Sequence, residues 1–160
     1  MNGRHMRVLG AVGSIVALGA AALIALPASG SAPAGHAFFA KLSGEHEIPD
    51  ADLDGYGTFS GSFSGVKLCF GVQVFKIGNP TAAHIHQGGP AVANGPIRVA
   101  LNFPPSGLAG ASAQCKNVPV AIANAIKANP AAYYVNVHNG AFPGGAIRGQ
   151  LFQATAAQDK

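Results

Sequence analysis

Three histidines are the residues of this chain whose type and spacing could do chemistry. His84 and His86 flank Ile85, and His138 ends a run of alternating residues much later in the chain. On a β-strand, His84 and His86 would point to one face and Ile85 to the other. Three neutral imidazoles suit Zn²⁺ or Cu²⁺ and leave one coordination position open. The pattern therefore predicts a metal site if the strand that carries His138 lies nearby. Otherwise the histidines hydrogen-bond to the backbone and stabilise turns.

An acidic loop at residues 45–55 supplies further candidate ligands. His46 lies within this loop and is a candidate fourth ligand for the metal. The loop also opens like a calcium-binding loop, with aspartates at alternate positions: Asp50, Asp52 and Asp54. The twelfth position of an EF-hand loop is a bidentate Glu, whereas this chain has Gly61 there, so an EF-hand is excluded. An irregular calcium site and a solvated acidic loop stay open as alternatives.

Alternation of apolar with small or polar residues indicates that β-strands position these side chains. The predicted strands are 37–42, 56–64, 66–77, 82–86, 96–103, 133–138 and 146–152. In one of them, the residues expected to face the core are Ile97, Val99, Leu101 and Phe103. Residues 104–115 are predicted to form a loop, and residues 118–128 the single helix, because the proline at 130 disfavours helix at 129.

About seven short strands with frequent turns predict an all-β fold. The expected architecture is an antiparallel β-sandwich or Greek-key-like barrel with one short connecting helix. Charged residues make up only 10% of the chain, well under the roughly 25% of an average soluble protein. A charged helical bundle and a highly charged disordered chain are therefore excluded.

The N-terminal 37 residues have the three parts of a secretory signal peptide. Arg4 and Arg7 precede an uncharged apolar run, 8–26, and small residues follow, including Ala32-Pro33-Ala34. Cleavage is expected within about residues 28–37. This would leave residues 38–160 as one domain without a stable membrane span, secreted or held in the cell envelope. An uncleaved membrane anchor is the alternative, because the apolar run approaches the ~20 residues that a span needs.

Two cysteines, Cys69 and Cys115, lie in the exported part of the chain. An even number of cysteines in an exported protein indicates a disulfide, and two allow one intramolecular pairing. A pair of metal thiolates is the alternative.

Charge and motif content exclude two classes of function. Residues 38–160 carry eight Lys and Arg against six Asp and Glu, and the basic residues are scattered. No nucleic-acid partner is therefore expected. The serines stand in no G-x-S-x-G setting and the cysteines are expected to be oxidised, so a nucleophilic hydrolase is disfavoured.

Two long motifs closely resemble signatures of the CHRD domain, a family named after chordin that also occurs in exported bacterial proteins. The residues that carry the resemblance are 83–88 (AHIHQG) with 94–96 (NGP), 133–138 (YYVNVH) with 143–151 (PGGAIRGQL), and 42–49 (LSGEHEIP) leading into 54–58 (DGYGT). The match covers about residues 38–153. It implies a secreted or envelope β-sandwich module, and His84, His86 and His138 match the family motif. Two residues depart from the pattern: Ala146 replaces a common Glu, and Asn139 replaces the usual Thr.

The resemblance implies no established reaction, so a non-enzymatic binding or structural module is expected ahead of an enzyme, with an unknown extracellular protein or surface ligand as its partner. In chordin the repeats belong to an antagonist that binds growth factors. A single copper or zinc ion at the histidines is compatible with this role. Arg148 is either an anion-binding group beside the histidines or a structural residue that caps loop carbonyls. The alternative function is a copper or zinc redox protein, loosely similar to copper-zinc superoxide dismutase.

Overall fold

The computed structural model describes residues 36–101 and 111–153. The described residues form nine strands and one α-helix. The strands are β1 (His36–Ser43), β2 (Tyr56–Ser64), β3 (Lys67–Phe75), β4 (Pro80–Gln87), β5 (Ile97–Leu101), β6 (Ala111–Asn117), β7 (Tyr133–Asn139), β8 (Ile147–Gln150) and β9 (Phe152–Gln153). Helix α1 (Val120–Ala128) connects β6 to β7, and short 3₁₀ turns form at Gly44–His46 and Pro130–Ala132.

All strand pairs are antiparallel and belong to one curled sheet. The strand order is β5-β4-β7-β8-β1-β2-β3-β6, and the short β9 pairs with β1 beside β8. Curling brings the two edge strands together, since the Lys116 ammonium of β6 donates to the Ala100 carbonyl of β5. The predicted all-β fold with one short helix is confirmed.

The apolar core fills the inside of the curl. Alternate residues of each strand face it, such as Phe59 and Phe63 of β2 and Ile85 of β4, each less than 5% exposed. Helix α1 adds Ala123 and Ile126 to this core. Because successive strand residues point to opposite faces, the residues beside these core positions must lie on the outer face of the sheet.

Two parts of the chain differ from the sequence prediction. Residues 111–115, expected in a loop, belong to β6, whose small and polar residues carry little apolar alternation but pair with β3 throughout. Ile97, expected in the core, is 53% exposed. A register shift between Ile85 and His86 in the β4–β5 pairing turns Ile97 outward. Phe103 lies outside the described residues.

The predicted disulfide between Cys69 and Cys115 is confirmed. These residues are direct cross-strand partners on β3 and β6, and the bond closes a loop with a sequence separation of 46. The disulfide therefore ties the edge strand β6 to its neighbour β3. In the described part of the chain, no helix is long and apolar enough to cross a membrane. Residues 1–35 of the predicted signal peptide lie outside the described residues, whereas residues 36 and 37 belong to β1.

Candidate metal centre

Strands β4 and β7 pair directly and bring the three histidines together on the outer face of the sheet. His84 lies opposite Asn136, His86 lies opposite Tyr134, and His138 lies opposite Ala82. Ile85, between the first two histidines, is 1% exposed and faces the apolar core. The alternation seen in the sequence therefore places three imidazoles side by side, as cross-strand and diagonal neighbours.

The ligand nitrogens of the three histidines converge. One ring nitrogen from each residue lies within 4.8 Å of the other two, and His84 Nδ1 is 3.0 Å from His138 Nε2. Two nitrogens bound at 2.0–2.1 Å to a tetrahedral zinc ion would be about 3.3 Å apart. His86 and His138 are buried, and His84 is half-buried. The spacing fits one ion with three imidazole ligands.

Backbone carbonyls determine the tautomers of two of these imidazoles. His86 Nδ1 lies 2.7 Å from the Gly95 carbonyl oxygen, and His138 Nδ1 lies 3.1 Å from the Pro143 carbonyl oxygen. A carbonyl oxygen only accepts, so each Nδ1 must carry the proton and each Nε2 must carry the lone pair. His86 Nε2 is buried and has no hydrogen-bond partner among the described residues. This is the outer hydrogen bonding that orients imidazoles toward a metal.

Burial lowers the pKa of all three imidazoles. Loss of hydration, followed by repulsion from His138 and His86, lowers the pKa of His84 to about 4. Loss of hydration is also the largest cause of the lowered pKa values of His86 and His138. The positive charge of Arg148 lowers the pKa of His86 further. The imidazoles are therefore neutral near pH 7, which is the form that binds metal.

Arg148 on β8 holds the loop that covers the cluster. Its Nη1 and Nη2 donate to the carbonyls of Val92, Ala93 and Pro90, and its Nε donates to the His46 carbonyl. Its guanidinium also lies 4.8 Å from the ring of Tyr134, which stacks on His86 with centroids 5.0 Å apart. Of the two roles expected for Arg148, anion binding and the capping of loop carbonyls, these contacts correspond to the second.

A buried carboxyl lies beside the same polar face. Glu47 is only 6% exposed, and its Oε1 has no hydrogen-bond partner among the described residues, nor does Asn136 Oδ1. The two oxygens lie 2.6 and 2.7 Å from the point where a Cβ at residue 145 would stand. Gly145 has φ +143°, so a side chain there would be strained and would also collide with both groups. Loss of hydration raises the pKa of Glu47 to about 7, against the attraction of Arg148.

One comparison with known proteins identifies the family. A family model for the CHRD domain matches residues 38–151, which include every strand except the two-residue β9 and the first two residues of β1. This chain belongs to the CHRD domain family. Comparisons with curated proteins and with solved structures gave no match. The Cys69–Cys115 disulfide of this CHRD domain fits an oxidising compartment.

The two departures from the CHRD pattern lie in the turn after His138. Asn139 is buried, donates to the Ile77 carbonyl and accepts the Phe142 N–H at 2.7 Å. It thereby fixes the turn that presents the Pro143 carbonyl to His138. Ala146 is fully buried, and its N–H donates to the Val137 carbonyl.

The remaining candidate ligands of the CHRD domain lie apart from the histidine cluster. His46 Nδ1 is 3.2 Å from the Arg148 carbonyl oxygen, and the group of converging ligand atoms does not include His46. Asp50 and Asp54 are exposed, and Asp54 forms a long ion pair of 4.0 Å with Lys76. Within residues 36–101 and 111–153, the histidines are the one group of three ligands close enough for a single ion.

The groups that orient the ligands carry no recognisable signal in the sequence. The Gly95 and Pro143 carbonyls are backbone groups and carry no side-chain signal. Tyr134 and Asn136 alternate with the core residues Val135 and Val137, so the pattern places them on the histidine face but gives them no role. Glu47 could not be distinguished from its solvated acidic neighbours, because its burial depends on the fold of the turn at residue 145.

Proposed function

We propose that this CHRD domain is an exported binding module in which His84, His86 and His138 hold one copper or zinc ion. The observation that carries the proposal is the pair of backbone hydrogen bonds from His86 and His138. They leave the Nε2 lone pairs of both residues available: His138 Nε2 lies 3.0 Å from His84 Nδ1, and His86 Nε2 is buried without a protein partner among the described residues. Leaving a buried acceptor unsatisfied costs about 1–3 kcal/mol, which a bound ion would recover.

The chain's own residues would bind the ion and control access to it. His86 and His138 are buried, and His86 also contacts the Gly95 carbonyl of the loop that Arg148 holds, whereas His84 is half-buried. An ion at the three nitrogens would therefore be reached from the His84 side. When bound, zinc or copper would offer a partner or small ligand an open coordination position.

The proposed setting of the protein is extracellular or in the cell envelope, reached by export. The proposed signal peptide comprises residues 1–37, with cleavage within about residues 28–37. Strand β1 begins at His36, so cleavage before that residue would leave the strand complete. The disulfide fits the oxidising compartment that export would reach. The partner is proposed to be an extracellular protein or surface ligand.

A copper redox protein is the second candidate function. The same three imidazoles suit copper as well as zinc, and the ring of Tyr134 stacks on the ligand ring of His86 with an angle of 11°. Such a role requires that the bound copper change its oxidation state. Reversible reduction of a copper-loaded protein, followed by optical or electron paramagnetic resonance spectroscopy, would distinguish this function from a purely binding or structural one.

The experiment that tests the main proposal is a metal titration of the exported protein. We expect purified protein to bind one Cu²⁺ or Zn²⁺ per chain by calorimetry, after removal of any metal with a chelator. His86→Ala and the double variant His84→Ala/His138→Ala should lose this binding. His46→Ala is the matched control and should keep it, because His46 lies outside the cluster. Absence of binding in folded wild-type protein, or equal binding in the histidine variants, would contradict the proposal.

A further inference from the structure

A cavity separate from the histidine cluster lies between β8 and the loop that follows β1. Its volume is about 450 Å³, within the range of small-ligand pockets. Its lining combines acidic and apolar side chains, among them Glu45, Glu47, Asp50, Ile48 and Pro90. This lining suits a ligand with one charged end and a short apolar stem.

The carboxylates of this cavity form no direct ion pair in the described part of the chain. Arg148 also lines the cavity, but its guanidinium nitrogens donate to backbone carbonyls of the covering loop and of His46. The ion pair between Lys76 and Asp54 involves neither Arg148 nor a residue that lines the cavity. The positive charge of Arg148 attracts Glu47, but three acidic residues line the cavity against this one arginine.

Glu47 is a second, independent indication of a missing partner. The residue lines the cavity, is 6% exposed, and has a buried Oε1 with no donor among the described residues. Burying a carboxylate without hydrogen bonds is unfavourable, so a group that brings N–H donors and positive charge would stabilise it. Glu45 and Asp50, which are exposed, would add longer-range attraction.

We propose that this cavity binds an alkylammonium group, such as a lysine side chain. The ammonium would donate to Glu47, and its methylene stem would pack on Ile48 and Pro90. A divalent cation fits less well, because Ca²⁺ needs 6–8 oxygen ligands close together. Among the described residues, three carboxylates do not converge within the distance that a shared ion requires. An ammonium group has three N–H donors, so it can bind carboxylates that lie farther apart than the ligands of a metal ion.

The test uses the full exported chain, freed of metal and labelled with ¹⁵N, so that its outcome does not depend on the histidine site. The probe is Nα-acetyl-lysine methylamide, and the matched control ligand is Nα-acetyl-norleucine methylamide, which has an apolar side chain and no ammonium. We expect the lysine probe to shift the backbone amides of residues 45–48, 50 and 149–150 saturably, with a dissociation constant of roughly 1 mM. The norleucine compound should leave these amides unshifted.

Variants connect the binding to the cavity. Glu47→Gln should weaken lysine binding by roughly 10-fold or more, because it removes a charge-assisted hydrogen bond. Glu45→Gln/Asp50→Asn changes only exposed residues, so it should fold normally and weaken binding as well. Asp54→Asn, which lies in the same loop but outside the cavity, is the control and should bind as the wild type does.

Three outcomes would overturn the proposal: equal shifts with the norleucine compound, no saturable shift with either compound, or binding that survives both cavity variants. Saturable shifts of the same amides by Ca²⁺ alone, with none by the lysine probe, would also overturn it in favour of a metal site. A further titration with n-butylammonium distinguishes the source of the amine. Equal affinity would indicate a free amine, and weaker affinity would indicate a lysine within a polypeptide.

Discussion

Two backbone carbonyl oxygens decide which nitrogens the histidine cluster can offer. Because Gly95 and Pro143 each accept a proton from an Nδ1 atom, His86 and His138 both present Nε2 to the space beside His84. An imidazole without such a contact can rotate or change tautomer, so it binds metal less well. The His-x-His spacing was sufficient to predict the shared face, but the tautomers depend on loops whose paths the sequence does not specify.

The lowered pKa values of the three histidines predict how many protons metal binding releases. At about pH 6.5, three ordinary histidines would release roughly 1.5 protons on binding one ion. Because burial lowers all three pKa values, fewer imidazoles are protonated at this pH, so the release should be below that number. Calorimetric titrations in buffers with different ionisation enthalpies measure it. A release of about 1.5 protons or more would contradict the structure of the cluster.

The raised pKa of Glu47 predicts a pH dependence of stability. Its pKa is about 7 in the folded protein, against 4.5 for an unperturbed glutamate carboxyl. The folded state then binds more protons between these values, so the free energy of unfolding falls as pH rises through this window. Between about pH 4 and pH 9, wild-type protein should lose about 3 kcal/mol relative to Glu47→Gln.

Urea unfolding of both proteins at several pH values measures this difference. The histidines, whose lowered pKa values make stability rise with pH, contribute equally to wild type and variant and therefore cancel. Parallel pH profiles would show that the Glu47 carboxyl is not buried as the structure has it.

At the scale of elements, the pairing of β4 with β7 creates the candidate site. These strands are far apart in the chain, with β5, β6 and α1 between them, and their alternation alone did not show that they would pair. The same limit explains why β6 was missed. Its residues are small and polar, and pairing with β3, together with the Cys69–Cys115 disulfide, makes it a strand.

Arg148 connects the sheet to the loop over the cluster, so its removal should affect both stability and metal binding. Arg148→Met keeps an apolar stem but leaves the carbonyls of His46, Pro90 and Val92 without their donor. We expect a loss of about 2–4 kcal/mol in the free energy of unfolding. Metal affinity should fall by about 10–100-fold, because the Gly95 carbonyl that orients His86 belongs to the same loop.

Arg98→Met is the matched control for this prediction. Arg98 is exposed, and the partner of its Nε among the described residues is the Gln87 side chain, so its loss should cost less than about 0.5 kcal/mol. Chemical denaturation and metal titration of both variants provide the comparison. Wild-type metal affinity in Arg148→Met would show that the loop does not need Arg148 to orient the ligands.

At the scale of the whole molecule, the disulfide and the histidine cluster lie on different strands of one curled sheet. The disulfide ties the edge strand β6 to β3, whereas the histidines lie on β4 and β7, near the other edge of the sheet. Stability and metal binding should therefore respond independently to changes at the disulfide. All seven strands expected from alternation are present, and the apolar residues of β2 and β3 fill the core as the sequence predicted.

The double variant Cys69→Ser/Cys115→Ser tests this independence. Loss of a disulfide that closes a loop of this length should lower the free energy of unfolding by about 4 kcal/mol on the chain-entropy model. The metal affinity of the protein that stays folded should equal that of the wild type, since no ligand or orienting carbonyl lies on β3 or β6. Denaturation and calorimetry measure the two quantities. A parallel loss of affinity would link the disulfide to the site.

The most direct test of the histidine site is anomalous diffraction from crystals of the exported protein, loaded with one equivalent of zinc or copper. We predict a single strong peak at about 2.0–2.1 Å from both His86 Nε2 and His138 Nε2, with a nitrogen of His84 as the third ligand. The Gly95 and Pro143 carbonyls should keep their hydrogen bonds to the two Nδ1 atoms. A peak at the acidic loop, or at the Nδ1 atoms of His86 and His138, would contradict the proposed centre.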